Sequence, residues 1–557
     1  LALSTDKAGL LSKGSITQHT VVIQRKDIRE ADRQELAKRG AAGIAAKRIW
    51  QRSPEMRNGQ ERAMKRIEQR AFNPLREKQC YNDPNDRFII FAEVNSLLDP
   101  KIAHAVLDAA LDNGADFAEL FVELRYSTEI SMLNGKVESA VSGTLCGTGV
   151  RVFSGTTSAY GHTNDLSIDS LSELAARLAR STGSSLSKRE TKTPHRPDIK
   201  NRHMILLSPD AVEPSEKAAI MKLANEGARS VSDLVVQVLV SYIDSVQTVW
   251  IFNSDGLQID DRRVRTRLTI RSVAEYEGTR ETAHYSPGSG LGIEFYNTFD
   301  VREAAKRPSR MASKMVRSRH APAGKMPVVI SNGFGGVIFH EACGHALEAT
   351  SVAKGASVFS GKLDQKVASE CVSAMDDPTI PNAWGSANID DEGKETRPNL
   401  LIERGILKSY MVDRLNGMKM SMESTSSARR QDYTYPPTSR MSNTFITAGN
   451  LLPEEIIAAT EYGLYAKSLG GGSVTPSTGE YNFAVTEGYL IDKGRITESV
   501  RGATLIGKGH ETLKKIDMVG CDLSREQGMC GSASGMIPAD VGQPTIRVSE
   551  LIVGGRS

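Results

Sequence analysis

The segment His340-Glu341-Ala342-Cys343-Gly344-His345 sets two histidines five residues apart in a run that otherwise reads as an apolar helix. A regular helix does not easily accept that spacing for a shared purpose. At 3.6 residues per turn, residues four apart lie about 40° from each other around the axis, whereas residues five apart lie roughly 140° apart. For both imidazoles to serve one site, the helix must carry a π-bulge or a break, and Gly344 is the residue best able to permit it. Two histidines flanking a glutamate form the simplest grouping that offers a metal ion both ligands and a base. The sequence therefore predicts a metal-bearing helix distorted at Gly344.

The surrounding pattern supports a helix entered from a strand. Pro327-Val328-Val329-Ile330 reads as strand, Ser331-Asn332-Gly333-Phe334-Gly335-Gly336 as a glycine-rich turn, and Val337-Ile338-Phe339 as the apolar start of the helix. An imidazole buried on such a helix needs a partner. A catalytic zinc takes three protein ligands and keeps a fourth position open, so beyond His340 and His345 a third ligand is required. Glu348 lies within reach on the same helix, Cys343 lies between the histidines, and Cys530 sits between glycines in what reads as a turn. Cys530 is preferred, because Cys343 fits a small buried core position better. Glu341 adjoins the first ligand and is the natural general base, taking a proton from a zinc-bound water. Two satisfied core histidines beside a salt-bridged glutamate would leave the same residues without a metal.

A chain of 557 residues is too long for one core. Its net charge of +3 is unevenly spread: residues 1–90 carry 19 Lys and Arg against 11 Asp and Glu, so the remainder is mildly acidic. That first segment has little sustained apolar period and reads as a basic, disordered extension; a nucleic-acid-binding arm is the alternative. The six cysteines are scattered without framework spacing and read as reduced. Leu1 to Lys26 holds no secretory-type apolar run, and the longest apolar stretch, Leu234 to Ile243, is far short of a bilayer span. A cytoplasmic protein without membrane contact is expected.

Order is expected from near Ser96. Asp99-Pro100 opens a helix that carries Ile102, Val106 and Ala110, and Asn113-Gly114 closes it. Strand-like runs Glu119–Tyr126 and Glu129–Val141 follow, the second broken by the hairpin signal Asn134-Gly135. Ser181 to His203 reads as an exposed loop. Arg263 to Val273 alternates Val264, Thr266, Leu268 and Ile270 with Arg263, Arg265, Arg267 and Arg271. A stripe of arginines suits a phosphate-binding face, but the solvated side of a half-buried sheet is the preferred reading. Ala305 to Met326 reads as a linker, and Pro453 to Lys467 as an amphipathic helix. The result is an α+β chain divided into residues 1–90, an N-terminal domain over 91–318 and a metal-bearing domain over 319–557.

From Gly333 through Glu348 the chain resembles the HExxxH region of TldD-type peptidases, the catalytic half of the TldD/PmbA (TldE) family. Ser357-Val358-Phe359-Ser360-Gly361, Asp390-Asp391-Glu392-Gly393, Arg440-Met441-Ser442-Asn443-Thr444, Gly470-Gly471-Gly472 and Met529-Cys530-Gly531 extend the resemblance, which runs roughly from Leu97 to Gly555. It implies a two-domain α+β metallopeptidase with mixed and antiparallel sheets and a metal-bearing helix in the C-terminal domain. It implies zinc held by His340, His345 and Cys530, with Glu341 as base. It further implies a PmbA/TldE-like partner subunit that lacks the metal motif, and unfolded or extended peptides as substrates. A non-catalytic peptide-binding subunit and a nucleic-acid-associated regulator acting through residues 1–90 are the rival functions. Nothing in the family matches residues 1–90, and Cys343 stands where the family usually has an apolar residue.

Overall fold

The computed structural model describes residues 98–183, 189–475 and 478–556. The basic segment 1–90 lies outside the described residues. The remainder is an α+β fold built on one large antiparallel sheet followed by two mixed sheets.

The first helix, α1 (Pro100–Asp112), starts where the sequence says it should: the Asp99 carboxylate accepts from the Lys101 amide, and Pro100 needs no helical partner for its nitrogen. It buries Val106, Leu107, Ala110 and Leu111. The sheet behind it is made by β1 (Phe117–Leu133), β2 (Lys136–Ser154), β3 (Thr157–Thr163), β4 (Val235–Asn253), β5 (Gln258–Tyr276) and β6 (Thr279–Tyr285), in the order β3-β2-β1-β4-β5-β6. The two runs read from sequence at 119–126 and 129–141 join differently: β1 is continuous to Leu133 and the turn falls at Asn134 (φ 50°) and Gly135 (φ 85°). Both left-handed turn residues match the strand twist, as the Asn-Gly pair requires.

Alternation along β1 gives the sheet two unlike faces. Leu120 and Val122 pack with Val150, Val152 and Phe252 beneath α1 and α2 (Ile168–Thr182), while Ile130 and Met132 lie with Val240, Tyr242 and Leu268 under α3 (Pro214–Arg229). The opposite face carries Glu119, Phe121 and Glu123, all buried. Those carboxylates are covered by the later half of the chain. Arg151 Nε lies 2.9 Å from Glu119, and its Nη2 donates to Glu392. Arg263 donates to Asp391 at 2.6 Å and lies 3.1 Å from Asp261, and Glu123 accepts from the Tyr433 amide at 2.8 Å. The arginine stripe of β5 is therefore not solvated: Arg265 is 7% exposed and Arg267 donates to the Gln527 carbonyl, leaving only Arg271 open to water.

Two further expectations are corrected. Ala305 to Met326 is no linker. It holds α4 (Lys306–Met315), which buries Pro308, Met311, Ala312 and Met315 while its lysines and arginines occupy the other side. The apolar stripe is too short to dominate a polar average. The helix expected over 453–467 covers only Pro453–Ala458, and Tyr462 onward is strand. There Leu464 and Ala466 pair in parallel with Val328 and Ile330, so tertiary pairing overrides a helical period.

The second half closes a ring. β7 (Gly324–Ile330) pairs with β8 (Tyr462–Thr475) on one side and β13 (Ile546–Gly554) on the other; β13 pairs with β10 (Thr504–Lys508), that with β9 (Glu480–Asp492), and β9 returns to β8. Beside it stands a six-stranded sheet in the order Ile406–Leu407, Asn399–Glu403, Ala374–Asp376, Asn443–Ile446, β12 (Gly535–Gln543) and β11 (Ser524–Ser532), which leaves β11 at the edge. Among the described residues no helix is long and apolar enough to cross a membrane.

Removing one partner of a buried ion pair strands the other charge. Arg151→Ala leaves Glu119 and Glu392 buried with diminished compensation, and is expected to cost about 3 kcal/mol of unfolding free energy, read as a lowered denaturant midpoint in the full chain. A midpoint within error of the parent would show that water replaces the guanidinium freely.

Candidate metal centre

The strand β7 delivers the chain to the site. At its end Gly333 takes φ 72°, and Gly336 packs so closely on β12 that a Cβ there would sit 2.4 Å from the Gly542 carbonyl oxygen. The Gln543 side chain donates to the Ser331 carbonyl at 3.1 Å and holds the turn from the same side. The helix that follows is thus pressed between the ring of strands and the six-stranded sheet.

It is wound in three ways. Val337–Phe339 is α-helical, His340–Gly344 is a π-helix in which the His345 amide donates to the His340 carbonyl, and His345–Leu347 is a 3-10 turn. The wider π turn brings both imidazoles to the same side, with ring centroids 5.3 Å apart and planes at 83°. The role of Gly344 is not the one its flexibility suggests. Its backbone is ordinary right-handed helix (φ −57°, ψ −51°), and the missing side chain instead makes room for Met441, whose Sδ would lie 2.2 Å from a Cβ.

His340 Nε2 lies 3.2 Å from Cys530 Sγ, and His345 Nε2 lies 3.3 Å from the same sulfur; the three donor atoms lie within 4.8 Å of one another. Cys530 does not sit in a turn. It lies on edge strand β11, opposite Ile537, and is 2% exposed. Burial opposes its thiolate, but the adjoining His340 and His345 outweigh that and pull the thiol down to about 3. His345 responds in kind: burial disfavours its charged form, and Glu348 and Cys530 overcome this and raise it well above the usual range. Bonds of about 2.1 Å to nitrogen and 2.3 Å to sulfur in a tetrahedral site need roughly 3.5 Å between such donors. Both nitrogen-sulfur distances are close to that value, and this donor set fits a zinc-like ion.

Of the other candidates, Cys343 is buried in the apolar core, where desolvation raises its thiol, and it takes no part in the cluster. Glu348 stands behind His345, its Oε1 3.2 Å from Nδ1, the nitrogen that faces away from Cys530. A carboxylate in that place fixes the ring and its tautomer. Glu341 stays on the ligand side, with Oε2 3.7 Å from His345 Nε2 and its side chain 32% exposed. It is thus both near the donor cluster and open to solvent.

One contributor carried no sequence signal of its own role. Arg440, fully buried, donates to the Cys530 carbonyl at 2.6 Å, to Ser534 Oγ at 2.8 Å and to the Gly535 carbonyl at 3.0 Å, and its Nε lies 3.6 Å from Glu348. It ties the strand of Cys530 to the carboxylate behind His345. A lone arginine has no spacing to betray such a task; only its place in Arg440-Met441-Ser442-Asn443-Thr444 marked it.

Sequence profiles of a known family cover most of the described chain. Residues 118–182 match PmbA/TldA metallopeptidase domain 1, residues 207–317 the central domain, and residues 323–555 the C-terminal domain. The metalloprotease TldD homolog of Buchnera aphidicola subsp. Schizaphis graminum is 34% identical over 453 residues, 79% of this chain and 93% of that protein. The Haemophilus influenzae homolog is 33% identical over 460 residues, 81% of this chain and 95% of its own length. A Saccharolobus solfataricus relative called a zinc metalloprotease TldD homolog is 30% identical over 57% of this chain and 71% of its own. The fold is shared with TldE from Thermococcus kodakarensis, at 18% identity and a TM-score of 0.66, covering 82% of this chain and all of that one.

The contacts rank two glycines. Gly336→Ala drives a methyl into backbone of β12, which has nowhere to go, whereas Gly344→Ala meets a thioether that can turn. Gly336→Ala is expected to lose about 3 kcal/mol and Gly344→Ala about 1 kcal/mol, with metal affinity falling in the same order, read by denaturation and by chelator competition. Equal losses would mean that the turn does not position the helix.

Proposed function

Because this chain belongs to the TldD-type metallopeptidases of the PmbA/TldD family, we propose that it is a zinc-dependent endopeptidase of the cytoplasm. Its substrates are unfolded or extended peptides, its metal ligands are His340, His345 and Cys530, and Glu341 is its general base. The observation that carries this reading is the convergence of two imidazole nitrogens and one anionic sulfur from a π-turn and an edge strand. Among the described residues the cysteines form no disulfide, which accords with a reducing compartment. Zinc at such a site would lower the pKa of bound water and polarise a carbonyl.

The remaining work belongs to the chain's own residues. Glu341, half open to solvent beside His345, accepts the proton of the attacking water and passes it to the departing amine nitrogen as the peptide bond breaks. Glu348 keeps the His345 ring in place while this occurs, and Arg440 keeps Glu348 and the Cys530 strand in register. An extended peptide would bind by strand addition, through main-chain hydrogen bonds that read little sequence. A PmbA/TldE-like subunit without the metal motif is the proposed partner.

Purified protein is expected to hold about one equivalent of zinc, measured by elemental analysis, and His345→Ala and Cys530→Ala to hold little. Glu348→Gln should keep the ion but bind it about 10- to 100-fold more weakly. Glu341→Ala should retain the metal and cut an unfolded polypeptide at least about a hundredfold more slowly. Cleavage by Glu341→Ala at the parent rate would place the base elsewhere, and parent-level zinc in Cys530→Ala would remove the sulfur from the ligand set.

A further inference from the structure

The arginine stripe of β5 ends in a cavity. It has a volume of about 270 Å³ and lies between the charged face of the first sheet and the sheet that carries Cys530, with Arg263, Arg265, Arg429 and Arg430 on its walls and Met529 and Met536 exposed at its rim. Arg125, Glu129, Asp244 and Asp391 line it as well, so five guanidiniums meet three carboxylates on those walls. Arg263 is held by Asp261 and Asp391, and Arg430 lies 3.4 Å from Glu119 and donates to the Asp391 carbonyl. Asp244 is bound by Lys217, and Asp376 accepts from Ser442 and Thr444. Arg265 and Arg429 are left with carbonyls alone. Arg265 donates Nε to Trp384 at 2.8 Å and Nη2 to Ser386 at 3.2 Å, and Arg429 donates Nη1 to Met441 at 2.6 Å. Among the described residues neither has a carboxylate within ion-pair distance.

Leaving a buried charge without a counterion is costly. Desolvation, followed by Arg429 and Arg263 and opposed by Asp261 and Asp391, pulls Arg265 down to about 9; burial, opposed by Asp391 and Asp376 and helped by Arg440 and Arg263, pulls Arg429 down to about 10. Both remain charged at neutral pH, and among the described residues no protein acceptor takes up Nη1 of Arg265 or Nε and Nη2 of Arg429. A planar fork of this kind suits a carboxylate. The cavity also borders β11 one residue from Cys530, since Met529 lines it, and alternation sets these neighbours on opposite faces of the strand. A chain bound across this edge would meet the metal position on one side and the guanidiniums on the other.

We propose that this cavity is an anion subsite in which Arg265 and Arg429 receive a carboxylate of the bound peptide, either an acidic side chain or the free C-terminus. The proposal rests on the peptidase reading, since it takes the occupant to be the substrate. The exposed methionines at the rim supply apolar contact for the aliphatic part of such a residue.

The test uses binding, so that cleavage is not needed. The full chain carrying Glu341→Ala is titrated into fluorescein-labelled, unfolded ten-residue peptides in which one Glu is moved along the sequence, each paired with a Gln twin, and into a C-terminal acid and amide pair. At one position, or at the terminus, the carboxylate form should bind about tenfold more tightly, the usual worth of one charge-assisted hydrogen bond, which also tells side chain from terminus. That ratio should fall to about 1 in Arg429→Gln and in Met536→Glu. The second variant brings a carboxylate of its own to an exposed rim position, so it keeps the question open to refutation should Arg429→Gln not fold. No carboxylate preference anywhere, or one that survives both substitutions, overturns the subsite and leaves the peptidase reading standing. Failure of either twin to bind at all overturns both.

Discussion

Two imidazoles five residues apart can share a sulfur only if the helix between them leaves its regular pitch, and the surrounding architecture follows from holding it there. A π-turn is a poor local minimum on its own. It persists because both ends of the segment are fixed from outside: Gly336 is pressed against the backbone of β12, and Gly344 is pressed against Met441. The ring of strands supplies β7, which launches the segment, and the six-stranded sheet supplies both the wall it leans on and the cysteine it meets. Neither sheet alone would define the donor triangle.

Arg440 makes the three donors behave as one unit. Its guanidinium grips the Cys530 carbonyl and the turn at Ser534 and Gly535, with Glu348 close by on the side of His345. A shift of β11 would therefore be felt by the carboxylate that aims the imidazole. Supporting contacts of this kind matter because a site held loosely by about an ångström loses most of its function.

What could be read from the sequence was local. The five-residue spacing announced a distorted helix, Asp99-Pro100 announced α1, and Asn134-Gly135 announced the hairpin, because each rests on backbone geometry that a few neighbouring residues dictate. The readings that missed all needed knowledge of what lies opposite. Alternation in β5 shows which arginines share a face, but not that residues 384–391 cover that face. The apolar stripe of α4 is four residues in a basic segment, and the strand character of Tyr462 onward depends on β7, more than 130 residues earlier in the chain. Gly344 was legible as special but for the wrong reason: its φ is ordinary, and the constraint is a methionine that sequence places nowhere near it. Cys530 was preferred on the residues and implied again by the resemblance, but the turn read around it was wrong, since the residue lies in a strand.

The charged face of the first sheet has a double consequence. Most of its groups are spent in joining the two halves of the chain: Glu119, Glu123, Asp261 and Asp391 each meet a guanidinium or an amide. Such pairs fix position more than they add stability, because desolvation offsets much of the attraction. With these carboxylates committed, the cavity walls keep more guanidiniums than carboxylates, and low-dielectric walls focus that field towards the opening. The opening lies along the strand that bears Cys530. The interface that sets the halves in register is thus also what gives the strand of Cys530 its electropositive flank, and a polypeptide laid along β11 would find its carboxylates drawn to that side.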